Sequence, residues 1–517
     1  MRVEGYLVLF LAGLVVLGLV AVYQTSPGYV DDAYYYATAV RIVKGKGFTE
    51  PFLWNYLGGF PEITHPSHAF WMPLSTLVAA LGMAAARTTQ FWAAKIPFVL
   101  LGASVPPLTA ALGHSLYRDR RVSWLAGTFA VFSGFYLPYL GTTDSFSLTM
   151  VLGALFFYIS SKKLTERRLL LWGVTAGGLH LVRAEGVLWL GVALLILFFQ
   201  EKQNSFRWGY LLLGYLMIMG PWLVRNWIVF GSFSGPGGLQ TLWMTEYEQL
   251  FLYPPTELNW RQWWGEGAAS LLEDRLWASG VNLTTTLAVE GGIFLLPLII
   301  WGGWSLWDDS RVKAGAAGWG GLFVMMSLVF PFPGARGSFF HGGAVLQPLG
   351  WALAAVGLQK LTQWGQERRG WNPIQAWRVL AVGFVIILGV LSYSITVNRV
   401  IGGQWQQAAW NQSARVYREV EEQLQELGAA QKAAVMVNDP AGYYAQNRRK
   451  AVVVPAGGLE GLQQAARQYA IDYLILEENH PRDLERYYQQ AGNLPGFRYL
   501  LTYQKVHIYQ RKDIQGP

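Results

Sequence analysis

Two adjacent acids, Asp31 and Asp32, follow the first apolar run of the chain. A helix N-cap explains one of them, since Asp is favoured at that position. It does not explain both, because a second carboxylate near a hydrocarbon boundary is costly unless it has a use. Neighbouring carboxylates raise each other's proton affinity and can share a divalent cation, and both properties suit a general base. We therefore predict that both acids are catalytic, and that they are candidate ligands of a cation such as Mg²⁺ or Mn²⁺.

Histidines in "THPSH" and an acid in "GTTD" are further candidates for substrate binding. His65 and His68 are three residues apart, so their imidazoles can share one helix face and join the aspartates in a metal site. Contact with a substrate, or a helix start at the His-Pro step, is the simpler alternative. Asp144 fits equally well as the cap of the next helix and as a site residue.

Three arginines stand in polar motifs between apolar runs. A guanidinium binds a phosphate through two hydrogen bonds. Each arginine alone also has an ordinary explanation, such as a local ion pair or snorkelling beside tryptophans. Three of them on one face predict a binding site for an anion. The motifs "RAEG", "PWLVRN" and "RGSFFH" supply Arg183 with Glu185, Arg225 with Asn226, and Arg336 with His341.

The elements that must position these residues are membrane helices. Of the 517 residues, 52% are hydrophobic and only 14% are charged, with a mean hydropathy of +0.24. In a typical soluble domain about 25% of residues are charged. Cysteine is absent, which excludes disulfides and thiolate metal sites. The net charge of +8 comes mainly from Lys and Arg in short loops, a pattern that sets membrane topology and gives no reason to expect nucleic acid.

Roughly eleven apolar runs predict membrane crossings, although several are shorter than the ~20 residues that a perpendicular span needs. We interpret the first run as a retained spanning helix with a cytoplasmic N-terminus. The runs are 6–23, 91–117, 122–140, 146–161, 169–181, 187–199, 208–227, 283–304, 315–329, 344–358 and 377–397.

The basic clusters between the runs test this topology, since each should be cytoplasmic. All of them are, provided that the segment 70–86 does not cross the membrane, so we predict a re-entrant or juxtamembrane helix there. The clusters are Arg118/Arg120/Arg121, Lys162/Lys163/Arg167/Arg168, Lys202/Arg207, Arg311/Lys313 and Lys360/Arg368/Arg369.

The same topology places every polar motif on the outer face of the membrane, which indicates one external site at the ends of many helices. Residues 1–400 are predicted to form a membrane domain with a first external loop at 24–90. In that loop, apolar residues after the acids recur at helical spacing and predict a short amphipathic helix along the membrane surface. Residues 401–517 alternate between strand and helix patterns and predict a small soluble α/β domain, also outside.

The order of these motifs resembles the GT-C superfamily of membrane glycosyltransferases, in particular protein O-mannosyltransferases and aminoarabinose transferases. The segment "DDAYYYATAVRIV" is similar to the acidic segment of the first external loop in those enzymes. This likeness matches Asp31 to the catalytic acid, whereas the oligosaccharyltransferase branch favours Asp32. "HPSH" is similar to the His-Pro-Pro element of the family, with Ser67 in place of the second proline.

The resemblance implies a polytopic helical fold and an inverting transfer of a sugar from a polyprenyl-phosphate donor. The acceptor would be a hydroxyl of a glycan, lipid or protein at the outer face of the plasma membrane. A carboxylate would deprotonate that hydroxyl, and Arg183, Arg225 or Arg336 would stabilise the departing lipid phosphate.

Two other classes of protein remain open at this point. A transporter or lipid flippase would concentrate polar groups near the membrane midplane, often in two related halves. Here the polar motifs gather at one face, and no repeat is evident. A scaffold with an inert membrane part leaves the paired acids unexplained.

Overall fold

The computed structural model describes residues 2–160, 164–200 and 207–512. Ser161 of the fourth apolar run, Lys162, Lys163 and Lys202 of the basic clusters, and residues 513–517 of the predicted C-terminal domain lie outside these ranges. The first half of the chain is helical, with three two-residue strands in the loop after the second helix. Its elements are α1 (Val3–Tyr23), α2 (Val30–Val43), β1 (Thr49–Glu50), β2 (Phe52–Leu53), β3 (His65–Pro66), α3 (Leu74–Ala86), α4 (Phe91–Leu116), α5 (Arg120–Val131), α6 (Phe146–Ile159), α7 (Glu166–Val182), α8 (Val187–Gln200) and α9 (Trp208–Phe230).

The second half continues the helical part and then changes to alternating helices and strands. The helices are α10 (Trp260–Gly265), α11 (Ala268–Thr285), α12 (Leu296–Ser305), α13 (Ser310–Val324), α14 (Pro331–Pro333), α15 (Phe339–Gly343), α16 (Gln347–Arg369) and α17 (Pro373–Thr396). The alternating part comprises α18 (Gln412–Glu426), β4 (Ala434–Val437), α19 (Pro440–Asn447), β5 (Ala451–Val453), α20 (Gly458–Gln468), β6 (Ile471–Leu476), α21 (Glu485–Gln489), β7 (Phe497–Tyr503) and β8 (Val506–Arg511).

The protein is a multi-pass membrane protein. Within the described residues, six helical stretches are long and apolar enough to span a bilayer. Other predicted runs form shorter helices or are interrupted: the run 122–140 stops being α-helical after Val131, and the run 283–304 passes through a π-helical turn, Thr286–Glu290, before α12. The six stretches are Val3–Tyr23, Phe91–Leu116, Trp208–Phe230, Ser310–Val329, Pro331–Arg369 and Pro373–Ile401.

Small residues allow the membrane helices to approach closely, which substitutes for a hydrophobic driving force in lipid. The pair α7 and α9 illustrates this. A Cβ atom on Gly173 would lie 2.0 Å from the carbonyl oxygen of Leu211, and one on Gly214 would lie 2.0 Å from that of Leu170. The two helices therefore pack backbone to backbone, and this contact fixes α7, the helix that Arg183 follows.

Helix α2 differs from the prediction of a surface helix. Every residue from Asp32 to Val40 is buried, and the helix packs between α3 and α19 in one shared apolar cluster. The alternation of apolar and polar positions is weak because tyrosines occupy both faces, and the C-terminal part of the chain covers the side that was expected to face solvent.

The C-terminal strands join one six-stranded sheet in the order β2-β5-β4-β6-β8-β7. The strands β2, β5, β4 and β6 run parallel, and β8 and β7 are antiparallel. The alternation of strands and helices predicted for 401–517 is confirmed: strands lie around Val435, Val452 and Leu474, a hairpin ends the described part, and the helix expected at 459–470 is α20, Gly458–Gln468. The sequence did not predict β2, which comes from the loop 24–90 and pairs Leu53 with Val452. The sheet is thereby linked to the loop that carries α2 and the paired acids.

Candidate active site

Asp32 is enclosed and serves as an acceptor for the backbone around it. Its side chain is 0% exposed. Oδ1 accepts hydrogen bonds from the backbone N–H (2.9 Å) and hydroxyl (2.5 Å) of Thr143, and Oδ2 accepts one from the N–H of Gly28 (3.2 Å). Burial raises the pKa of Asp32 to about 7 despite these bonds. The N-cap of α2 is Tyr29, so neither acid is the cap that the simpler explanation required.

Asp31 lies in the same first turn of α2 but is accessible to solvent, with 22% of its side chain exposed. Its Oδ2 is 3.7 Å from Nε2 of His341, and that nitrogen is 2.9 Å from Oδ2 of Asp144. The ligand atoms of these three residues lie within 4.8 Å of one another. Burial, together with the Asp144 charge, raises the pKa of Asp31 to about 6. The three residues come from α2, from the loop before α6 and from α15, and we call them the carboxylate–histidine cluster.

Asp144 is the fully enclosed member of the cluster. Oδ2 also accepts a hydrogen bond from the hydroxyl of Tyr29 (2.8 Å), and Oδ1 accepts one from the N–H of Ser145 (2.5 Å). Burial alone would raise its pKa, but the charges of His341 and Arg183 outweigh burial and lower the pKa of Asp144 to about 2. Asp144 is therefore ionised at neutral pH, and its charge acts on the more exposed Asp31.

Arg183 and Glu185 lie beside the cluster, at the junction of α7 and α8. The Nε of Arg183 donates to Oε1 of Glu185 in a buried ion pair. The Nη1 of Arg183 is buried and has no hydrogen-bond partner in the described part of the chain. The same holds for the hydroxyl of Tyr35, which is one helical turn after Asp31 on α2 and 0% exposed. The Arg183 charge acts on the pKa values of Asp31, Asp144 and Tyr35, so Arg183 and Tyr35, each with an unused donor, lie near the acidic cluster.

Arg336 is near the edge of this site. Its guanidinium lies 5.1 Å from the centre of the Tyr247 ring, a cation–π contact. Burial raises the pKa of Tyr247, as does the Asp31 charge, whereas Arg336 lowers it. Tyr247 belongs to a loop between α9 and α10 and connects Arg336 to the Asp31 side of the site.

The two histidines of "THPSH" do not join the cluster. His65 lies on β3 and pairs with Glu50 at 3.2 Å. His68 contacts Ser67 and Thr76 through its two ring nitrogens, and burial, with the Arg225 charge, lowers its pKa to about 3. The predicted metal site of these histidines with the paired aspartates is not formed, because a short strand pair and a buried hydrogen-bond network hold the rings elsewhere.

Arg225 and Asn226 also have local roles. The Arg225 guanidinium lies 4.7 Å from the Trp222 ring and donates to the carbonyl of Ser67 at 2.8 Å. Asn226 donates to the carbonyl of Phe233 and accepts from Arg225. These contacts fit the explanation of an arginine among interfacial tryptophans.

The sequence reasoning missed several residues of the site. Tyr35 could have been found, because positions 31 and 35 share a helix face. Thr143 stands beside Asp144 in "GTTD", but its bonds to Asp32 join positions 111 residues apart and depend on the packing of two elements. Tyr29 and Tyr247 stand in segments with no chemical signature of their own.

Comparison with solved structures places this arrangement in a known architecture. The Archaeoglobus fulgidus oligosaccharyltransferase in complex with Zn and sulfate is similar with a TM-score of 0.57 and 13% identity, over 96% of this chain and 73% of that chain. ArnT from Cupriavidus metallidurans is similar with a TM-score of 0.60 in the apo state, at 12% identity over 98% of both chains. The chain has the GT-C fold. No protein-family model and no curated protein matches the sequence.

The GT-C fold was predicted from the order of the polar motifs, and it is confirmed. ArnT bound to undecaprenyl phosphate matches all of both chains with a TM-score of 0.58 and 12% identity. Identities this low establish the architecture of the chain, while the chemistry must be argued from its own residues.

Replacing Asp32 with asparagine should destabilise the protein. The amide would place an N–H donor against the N–H of Gly28 and leave that buried donor without an acceptor, at a cost of about 1–3 kcal/mol in the free energy of unfolding. Thermal unfolding of the purified protein in detergent measures this loss. Asp31→Asn is the matched control and should unfold close to the wild-type temperature. Equal unfolding temperatures for Asp32→Asn and the wild type would contradict the role of Asp32 as a structural acceptor.

Proposed function

We propose that the protein is an inverting glycosyltransferase that moves a sugar from a polyprenyl-phosphate donor to an acceptor hydroxyl of a glycan, lipid or protein. The observation that carries the proposal is the exposed carboxylate of Asp31 among Asp144, His341 and Arg183, at the ends of membrane helices. The similar structures support a lipid donor, because one is bound to undecaprenyl phosphate and another is in complex with a dolichol-phosphate and an inhibitory peptide.

Asp31 is the better candidate for the base. Asp32 has both oxygens engaged and is closed to solvent, whereas Asp31 directs one oxygen at His341 and leaves the other for a substrate. A pKa of about 6 suits a base that works near neutral pH. Asp31 would take the proton of the acceptor hydroxyl while the oxygen of that hydroxyl attacks the anomeric carbon. The bond from that carbon to the phosphate oxygen breaks on the opposite face, so the configuration inverts.

The leaving group is a lipid phosphate, and its negative charge needs donors. The Nη1 of Arg183 and the hydroxyl of Tyr35 are buried without a partner among the described residues, so they would donate to this anion once substrate binding brings it within reach. Arg336 would add positive charge at the edge of the site. His65, His68, Arg225 and Asn226 have other partners, and we do not assign them to the substrate.

The carboxylate–histidine cluster fits a divalent cation. Two carboxylates and an imidazole are suitable donors for such ions, and Nδ1 of His341 is 2.9 Å from the carbonyl of Gly337, which orients Nε2 toward the carboxylates. Asp31, Asp144 and His341 would hold the ion, whereas Asp32, a predicted ligand, lies outside the group. A cation bound there would stabilise negative charge on the substrate phosphate.

Loss of His341 should weaken binding of a divalent cation. Even partners that only orient metal ligands change affinity by about 10–100-fold, so a direct ligand should matter at least as much. Titration of the purified protein with Mn²⁺, followed by calorimetry, compares wild type with His341→Ala. His480→Ala is the control, because His480 pairs with Glu485 in the C-terminal part of the chain. Identical Mn²⁺ affinities for all three proteins would contradict the site.

The orientation in the membrane follows from the loop charges. We propose that the N-terminus is cytoplasmic and that the site and the C-terminal sheet face the outside of the plasma membrane, because this places the basic loops inside. Residues 401–517 then form a soluble domain above a membrane domain of residues 1–400. The strand β2 from the loop 24–90 attaches that domain to the site.

The proposed reaction is tested with purified protein and a panel of polyprenyl-phosphate sugars carrying a radiolabel. We expect label to reach an acceptor in proportion to the free polyprenyl phosphate formed, with inversion at the anomeric carbon. Consumption of no donor, together with sugar or lipid movement across liposomes that contain the protein, would instead favour a transporter.

A further inference from the structure

A groove of about 750 Å³ lies between α1 and α4, in the range of known ligand pockets. Its walls along the membrane helices are apolar and include Leu14, Gly18, Val22, Ile96 and Leu100. Several of these side chains are exposed on the surface of the spanning helices, including Val22 and Ile96. The groove is therefore open to the lipid phase along two helices.

One end of the groove is polar. Gln24, Thr25 and Ser26 line it where α1 ends, and Gln90 and Lys95 line it where α4 begins. The N-terminus of α4 has Gln90 as its N-cap, and in the described structure the side chain of Gln90 makes no capping bond. Since helix N-termini carry partial positive charge, this end of the groove favours an anion.

Lys95 is the charged group at that end, and its side chain is nearly closed to solvent, at 5% exposure. Its ammonium donates to the carbonyls of Ala21 (2.9 Å) and Gln24 (2.5 Å) and lies 5.1 Å from the centre of the Phe91 ring. An ammonium has three donors, so one is left for a further acceptor. The acid that acts on Lys95 is Asp32, whose carboxylate is already bonded to Gly28 and Thr143.

We propose that this groove binds an anionic membrane lipid, with its phosphate at Lys95 and an acyl chain along α1 and α4. An anionic phospholipid matches the groove in two respects. Its acyl chain fits the apolar walls, and its phosphate fits the positively charged end. A buried cation in a spanning helix is costly unless it has such a partner.

The groove is distinct from the site of the proposed reaction. Asp31, Asp144, Arg183 and His341 are not among the residues that line it. The segment 24–28 separates the two, because it lines the groove up to Pro27 and then donates from Gly28 to Asp32. The proposal therefore stands independently of the sugar transfer, and its test needs no activity measurement.

The test is native mass spectrometry of the full-length protein, with phosphatidylglycerol and phosphatidylcholine added separately. A Cβ atom on Gly18 meets no other atom within 4 Å, so Gly18→Leu fills the groove without a clash. Gly220 has the same free space on α9, outside the groove, and Gly220→Leu is the matched control. We expect wild type and Gly220→Leu to retain one phosphatidylglycerol, and Gly18→Leu to bind it at least about tenfold more weakly.

Lys95→Gln adds a test of charge, and we expect it to remove the preference for phosphatidylglycerol over phosphatidylcholine. If this variant fails to fold, the pair of glycine variants still decides the matter. Equal retention in Gly18→Leu and Gly220→Leu would overturn the proposal, as would equal binding of the two lipids by the wild type. Displacement of phosphatidylglycerol by polyprenyl phosphate, lost in Gly18→Leu, would also overturn it by assigning the groove to the donor.

Discussion

Replacing Asp31 with asparagine should lower the rate of sugar transfer by about 10²–10⁴-fold, the contribution of a positioned general base. Asparagine keeps the size of the side chain and cannot accept the proton of the acceptor hydroxyl. Because no hydrogen bond to the Asp31 side chain from the described residues holds α2 in place, the fold should be unchanged. Initial rates at saturating donor, with binding of the donor measured separately, show whether the loss is in the chemical step.

Two controls make this result specific to Asp31. Asp308→Asn removes an equal charge from an exposed position outside the site and should transfer sugar at the wild-type rate. Asp32→Asn should lose activity only as far as it loses folded protein. Full activity of Asp31→Asn, with an inactive but stable Asp32→Asn, would exchange the roles of the two acids.

Replacing Arg183 with methionine should lower the rate by about 10²–10³-fold, the usual cost of removing a donor that stabilises charge in the transition state. Methionine retains much of the length of the side chain but removes the guanidinium, whose Nη1 has no partner among the described residues. Inhibition by the product, polyprenyl phosphate, should weaken in parallel, because the same group would bind the departed phosphate. The split between kcat and KM shows whether the loss falls on the chemical step.

The ion pair with Glu185 complicates this variant, because methionine leaves a buried carboxylate without its partner. Arg183→Met combined with Glu185→Gln removes both charges and separates the two effects. If the double variant recovers activity, Arg183 serves only to neutralise Glu185. If the double variant remains inactive while Glu185→Gln alone is active, the guanidinium itself contributes to transfer.

The membrane class and the position of most helices followed from local properties of the chain. A span such as Val3–Tyr23 is apolar apart from Glu4, and lipid requires the backbone of such a run to satisfy its own hydrogen bonds in a helix. The strand β4 was predicted for a similar reason, because four consecutive buried residues, Ala434–Val437, fit the centre of a parallel sheet. The prediction that Asp31 and Asp32 are catalytic came from the cost of a carboxylate near the membrane.

Predictions that depended on neighbours distant in the chain were less secure. Helix α2 was expected on a surface, and α19 covers it from more than four hundred residues away. The spacing of His65 and His68 fitted one helix face, but the segment forms a strand pair with β1 and a buried turn, so the rings diverge. Periodicity describes one element at a time and contains no information about what packs against it.

The sequence by itself determined a polytopic membrane protein with acids, arginines and histidines between its helices, because hydrophobicity and charge act residue by residue. The tertiary structure decided which of them form a site. Positions 31, 144 and 341 meet only because α2, the loop before α6 and α15 converge, and this packing also encloses Asp32 while it leaves Asp31 open. The different environments of two identical neighbouring side chains therefore come from burial and hydrogen bonding, which arise from contacts between distant parts of the chain.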